Sequence, residues 1–410
     1  MLTQKQLSDF ADLAVKIGVN IQPKQKVAIN SPVECAFFAR LIAQKAYDAG
    51  AGFVEIIWND DFLSRLVMEK TDVDVLENIP EWKVARYNHL VEGDYAVISI
   101  KASDPALYSG IDMEKITKVS RASSVATVNF RKATMSGKLR WLIISVPTTQ
   151  WATTVFKDCD SKTAVDKLWD AIAVTMRLNT PDPVKAWREH CEKTENRAKY
   201  LNQKQFDHVI LTNAKGTNLK VGLPKNHVWT GAGEPAQDGV MFVANMPTEE
   251  IFTAPHRLKT EGKVFNALPL CHNGTIIDDF WLEFKQGRVV DYDAKQGKDA
   301  LKSIIETDDG SHYLGEVALL GKNSPIAKLG ILFYNTLFDE NASCHIALGK
   351  GYPSTVKGGE KMSVEQLLQC GVNDSMEHCD FMIGTPDLSV IGVSEDGEKT
   401  TLFVDGEWVI

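Results

Sequence analysis

Through the first half of the chain, short apolar runs at 27–29, 53–58, 95–100 and 141–146 alternate with stretches of helical character. Strands separated by helices pair side by side in parallel, so this alternation predicts an α/β domain with a mainly parallel, doubly wound sheet and helices on both faces. The connecting segment from about residue 32 to 49 shows the pattern best. There Phe37, Phe38, Leu41, Ile42 and Ala46 recur at helical spacing, and Gly50 follows as a stop. Upstream, Leu7, Phe10, Ala11, Ala14 and Ile17 mark an opening helix and not the apolar core of a signal peptide.

At 410 residues the chain exceeds what one hydrophobic core usually serves, and two domains are expected. A polar helical stretch from about 183 to 205 precedes a change of texture at Phe206. Beyond it come short strands at 208–212, 240–244, 275–284 and 288–291, separated by Gly and Pro turns. The expected division is an α/β N-terminal domain over residues 1–205 and a β-rich α+β metal-binding catalytic domain over 206–410.

Composition removes several function classes. A formal net charge of -9 disfavours nucleic acid as a partner. No apolar run of about 18 residues occurs, so no membrane span is expected, and the expected location is cytoplasmic. Seven cysteines without a C-x-x-C pair argue for reduced thiols and against both a disulfide framework and a thiolate zinc ribbon. The glycosylation-type triplets at Asn273, Asn341 and Asn373 are then chance matches. There is no phosphate-binding P-loop, and the near match to a dinucleotide fingerprint, Gly231 to Ala236, lacks a clear preceding strand.

The chemistry concentrates in the second half, in Glu249, Glu250, Glu316, His345, Tyr352, His378 and Asp380. Carboxylates and imidazoles of this kind suit a two-metal hydrolase using zinc, cobalt or manganese. Glu249 and Glu250 sit between Pro247 and Pro255. Neighbours in extended backbone point to opposite faces, so one can bind metal while the other stays free as a base. Glu316 lies between Gly315 and an apolar run, where a buried charge needs a partner, either a metal or a salt bridge. His345 precedes the glycine turn that ends in Tyr352, whose ring either packs beside that turn or donates to a developing oxyanion. In a strand, His378 and Asp380 share one face while Cys379 takes the other; Asp380 is either a ligand or the acceptor that orients a histidine ring. His256 lies close enough to Glu250 to compete for a ligand role, and Glu340 is an acid available to a substrate's α-amine.

In order along the chain, the segments Met-Pro-Thr-Glu-Glu, Gly-Glu-Val-Ala-Leu, Asp-Glu-Asn-Ala-x-x-His-Ile-Ala and His-x-Asp-Phe-Met-Ile-Gly resemble the metallo-aminopeptidase family of aminopeptidase T, aminopeptidase S and PepS. The resemblance extends to the opening helix. It implies that Glu250, Glu316, His345, His378 and Asp380 bind two divalent metal ions per subunit and that Tyr352 belongs to the same site. It also implies peptide substrates with a free N-terminus and a homodimer whose active sites face an enclosed cavity. On this reading Glu316 bridges the ions and Glu249 is the general base and proton shuttle. The rivals are another two-metal hydrolase, a phosphoesterase or amidohydrolase, and a non-catalytic peptide-binding protein.

Overall fold

The computed structural model describes residues 2–102, 104–272 and 275–410; Asn273, of the first glycosylation-type triplet, lies outside them. Contacts divide the chain into two units, Met1–Glu189 with Gly233–Pro247, and His190–Ala232 with Thr248–Ile410.

The first unit is built on strands β1 (Lys26–Pro32), β2 (Phe53–Asn59), β3 (Tyr95–Ile100) and β4 (Trp141–Ile144), all parallel, in the order β2-β1-β3-β4. Each apolar run of the first half has become a strand. The order reverses direction at β1, and right-handed crossovers then send the connecting helices to opposite faces. The Ala36–Asp48 helix buries Phe38, Ala39, Ile42 and Ala46, and Phe10 of the Gln4–Leu13 helix packs on Phe38 with ring centroids 4.7 Å apart. Thr3 and Gln6 close a capping box at the start of that first helix. Phe37 departs from the expected buried set: it is 49% exposed and meets Trp169 edge-on. Consecutive helical residues diverge by about 100°, so Phe37 and Phe38 cannot both face the sheet.

The second unit is antiparallel. Its larger sheet runs from Leu270–His272 through Thr275–Lys285, Thr260–Phe265, Asn218–Gly222, His208–Thr212, Ser389–Val393 and Lys399–Val404 to Glu407–Trp408, with Arg288–Gln296 also paired to Thr275–Lys285. A smaller sheet has the order His378–Met382, His345–Gly349, Leu314–Leu319, Ile251–Thr253. The run at 240–244, expected as a strand of the β-rich half, is reduced to Met241–Phe242 paired with Glu234–Pro235 in the first unit. Gly239, at φ +81, turns the chain immediately upstream and leaves little length to pair.

Strand alternation gives the smaller sheet two unlike faces. Val317, Leu319, Ile346, Leu348, Phe381 and Ile383 join the apolar core, and so do Cys344 and Cys379. Side chains one position away along each strand must point the other way.

Candidate metal centre

That opposite face carries Glu316, His345, His378 and Asp380. In register, His345 pairs with Ala318, Ala347 with both Glu316 and Asp380, and Gly349 with His378. Alanine and glycine at the middle of the face leave room for longer side chains to converge above them. A register shift between Leu314 and Glu316 marks a bulge at Gly315, where any Cβ would strike the Gly349 and Lys350 carbonyls. Bulges re-aim the side chain that follows, here the Glu316 carboxylate. Glu250 arrives from the start of the edge strand Ile251–Thr253.

Two groups of possible ligands result, Glu250 with Glu316 and His345, and Glu316 with His378 and Asp380; within each, the donor atoms lie within 4.8 Å of one another. His345 Nε2 is 2.9 Å from Glu250 Oε2 and 3.6 Å from Glu316 Oε1. His378 Nε2 is 3.7 Å from Glu316 Oε2 and 3.4 Å from Asp380 Oδ2. Glu316 therefore turns one oxygen to each group.

Both rings are oriented from behind. His345 Nδ1 lies 3.2 Å from the Ser343 carbonyl and His378 Nδ1 2.8 Å from the Lys350 carbonyl. A nitrogen facing a carbonyl carries a proton, so Nε2 of each ring is the atom that would present a lone pair to a bound ion in place of its own proton. Asp380 lies on that coordinating side of His378; the Lys350 carbonyl does the orienting. The 2.9 Å approach of His345 to Glu250 is then a meeting of two acceptors, which a proton or a metal ion must separate. Asp380 Oδ1 is buried without a hydrogen-bond donor, a costly state unless a cation answers it.

Burial pushes the Glu316 carboxyl up to about 7; the His345 contact opposes the rise, and the Asp380 and Glu250 charges add to it. Burial disfavours the charged form of His378, but Asp380, with Glu316 and the Lys350 carbonyl, outweighs it and holds the imidazole at about 10. For His345, burial is outweighed by Glu250 and Glu316, which keep the ring well above the usual imidazole range. The cluster attracts cations strongly, and protons and divalent ions compete for the same lone pairs. Oxygen and imidazole donors in two groups sharing one carboxylate fit a pair of borderline divalent ions.

The remaining candidates surround these groups without joining either. Glu249 Oε2 lies 3.8 Å from His190 Nε2. Tyr352 packs edge-on against Phe252 at 5.8 Å and His378 at 5.5 Å. Glu340, on the turn Glu340–Ala342, is held well above the carboxylate range by burial and by the charges of Asp380 and Glu250. His256 is engaged elsewhere: its Nδ1 accepts the Leu258 N–H at 3.2 Å, its ring lies against Gly371, and it belongs to neither group. His190 was not singled out by sequence. Its signal was available, because it stands one turn before Thr194 on the buried stripe of Thr194, Ala198 and Leu201.

Comparison with known proteins identifies the family. The family described as thermophilic metalloprotease (M29) matches residues 3–408. The chain is 43% identical to aminopeptidase 2 of Geobacillus stearothermophilus, covering 99% of this chain and 98% of that protein. It is 40% identical to aminopeptidase AmpS of Bacillus subtilis, over 98% of both. The structure of AmpT from Thermus thermophilus superposes with a TM-score of 0.93 at 34% identity, covering 99% of this chain and 100% of that one. With the family matched along nearly its whole length and an acid-imidazole cluster at its centre, the chain belongs to the M29 family of metalloproteases.

Proposed function

We propose that this protein is an aminopeptidase that removes the N-terminal residue of peptides with the help of two divalent ions, zinc, cobalt or manganese. The observation that carries the reading is the sharing of Glu316 between two ligand groups. Glu250, Glu316 and His345 would hold one ion, and Glu316, His378 and Asp380 the other. Bound there, the ions supply Lewis acidity, polarising the scissile carbonyl and making a water acidic enough to attack near neutral pH.

The chain's own groups do the rest. Glu249, outside both ligand groups, takes the proton of the attacking water and returns it to the leaving amine. Tyr352, against the His378 ring, donates to the oxyanion that develops on the carbonyl. Glu340 lies in the field of the same acids outside both ligand groups, and we assign it the substrate's α-ammonium group, whose charge would draw the otherwise protonated carboxyl into its ionised form. Among the described residues no disulfide is formed, which fits a reducing, cytoplasmic setting, and a homodimer completes the reading. Among the described residues no helix is long and apolar enough to cross a membrane.

The test is hydrolysis of leucine p-nitroanilide, its N-acetylated form and p-nitrophenyl phosphate by protein that has been chelated and then resupplied with each ion. The reading expects cleavage of the free-amine substrate alone, abolished by chelation and restored by metal. Equal cleavage of the acetylated form, or activity confined to the phosphate ester, would overturn it.

A further inference from the structure

The peptide plane between Thr248 and Glu249 is held at both poles. Its carbonyl oxygen lies 2.8 Å from His190 Nε2, and its N–H donates to Asn341 Oδ1 at 2.8 Å. A nitrogen this close to a carbonyl is the donor. The same edge of the His190 ring faces Glu249 Oε2 at 3.8 Å, with the two side chains only 10% and 7% exposed. Asn341 is fully buried, and its Nδ2 is tied to the Leu337 carbonyl at 3.2 Å, so its acceptor cannot swing away. Thr248 Oγ1 reaches Glu250 Oε1 at 3.5 Å, which links the same segment to the first ligand group.

A peptide unit is rigid and planar, so gripping its C=O and its N–H fixes the plane's rotation and the directions in which the adjoining side chains leave it. We infer that His190 and Asn341 are positioning residues that clamp the Thr248–Glu249 peptide and thereby aim the Glu249 carboxylate. The inference rests on the reading of Glu249 as general base. Neither residue touches the reacting atoms; His190 acts through Glu249, both by way of the peptide and by facing its carboxylate across a site from which water is largely excluded. A displacement of about 1 Å in a group that handles the proton can cost about 100-fold in rate.

The experiment compares His190→Ala, His190→Gln, Glu249→Gln and the double variant His190→Ala, Glu249→Gln on leucine p-nitroanilide, with metal content measured by elemental analysis. The inference expects His190→Ala to lower kcat about 10- to 100-fold with KM within about twofold, and with metal content unchanged. Glutamine keeps an N–H donor at nearly the same reach, so His190→Gln is expected to recover kcat to within about threefold of wild type. In the Glu249→Gln background, His190→Ala is expected to change kcat by less than about twofold, because the group it positions is already gone. A silent His190→Ala, an undiminished effect in the Glu249→Gln background, or metal loss in step with kcat would overturn the inference. Wild-type turnover is the internal control: its absence overturns the aminopeptidase reading and this inference with it, whereas turnover with a silent His190→Ala overturns the inference alone. If His190→Ala does not fold, His190→Phe, which keeps a ring but lacks the N–H donor, carries the test beside His190→Gln: kcat is expected to fall about 10-fold or more in the Phe variant and to recover in the Gln variant, with equal metal content, and equal kcat in the two would overturn the inference.

Discussion

His345 and His378 are oriented alike: each gives Nδ1 to a main-chain carbonyl, at 3.2 Å and 2.8 Å, and turns Nε2 toward buried carboxylate oxygens. With no ion bound, the acids keep both rings protonated; an ion that displaces the Nε2 proton meets a lone pair already aimed at the cluster. The two rings are well arranged for ions.

If Glu249 moves the proton and Glu250 holds metal, the two adjacent acids should fail differently. Glu249→Gln is expected to keep its metal and lose about 100-fold or more in kcat. Glu250→Gln is expected to lose metal affinity first. Elemental analysis beside steady-state kinetics separates them; metal loss from Glu249→Gln would contradict the assignment.

Removing the Tyr352 hydroxyl while keeping the ring that packs on Phe252 and His378 tests the oxyanion role. Tyr352→Phe is expected to lower kcat about 100-fold with little change in KM or thermal midpoint. Unchanged kcat would reduce Tyr352 to a packing residue.

Much of this was legible before any coordinates. β1 and β3 announced themselves because central strands buried on both faces are nearly continuous apolar runs; β2 and β4, at the edges and only partly buried, were legible from their β-branched and aromatic residues. The pairing of His378 with Asp380 followed from alternation alone. The meeting of Glu250, Glu316 and His345 had no local signal, since register across three strands brings them together, and only resemblance to a family pointed to it. His190 could be read from the buried stripe of its helix, but its meeting with Asn341 at one peptide had no local signal for the same reason. Phe37 and the 240–244 run show the opposite failure, where apolar character was taken for burial and for length of pairing.

Gly349 is placed by need. At φ +106, with a Cβ running into the Glu377 carbonyl, its replacement strains the strand whose register sets His378 opposite it. Gly349→Ala is expected to cost more than about 1 kcal/mol, seen as a lower urea midpoint. An unchanged midpoint would mean that the turn before Tyr352 is less constrained than it looks.

Asp308 ties down the loop that leads into the His378 strand, accepting from Ser375 Oγ at 2.7 Å, Met376 N at 2.6 Å and Ser311 N at 2.8 Å. Burial alone would raise its pKa, but these donors outweigh burial and hold it below the ordinary 3.8. A lowered folded-state pKa contributes stability above the unfolded value and loses it as pH falls through the folded one. Asp308→Asn is therefore expected to destabilise at about pH 7, with the deficit shrinking below about pH 4. Urea melts of both proteins at the two pH values check this; a deficit that grows on acidification would reverse the sign and refute it.

Metal content bears most directly on the central claim. Equilibrium dialysis against zinc or cobalt, followed by elemental analysis, is expected to give about two ions per chain for the wild type, about one for His378→Ala with Asp380→Asn, and fewer still for Glu316→Gln, the shared ligand. A single ion in the wild type, or two ions surviving the loss of His378 and Asp380, would contradict the account.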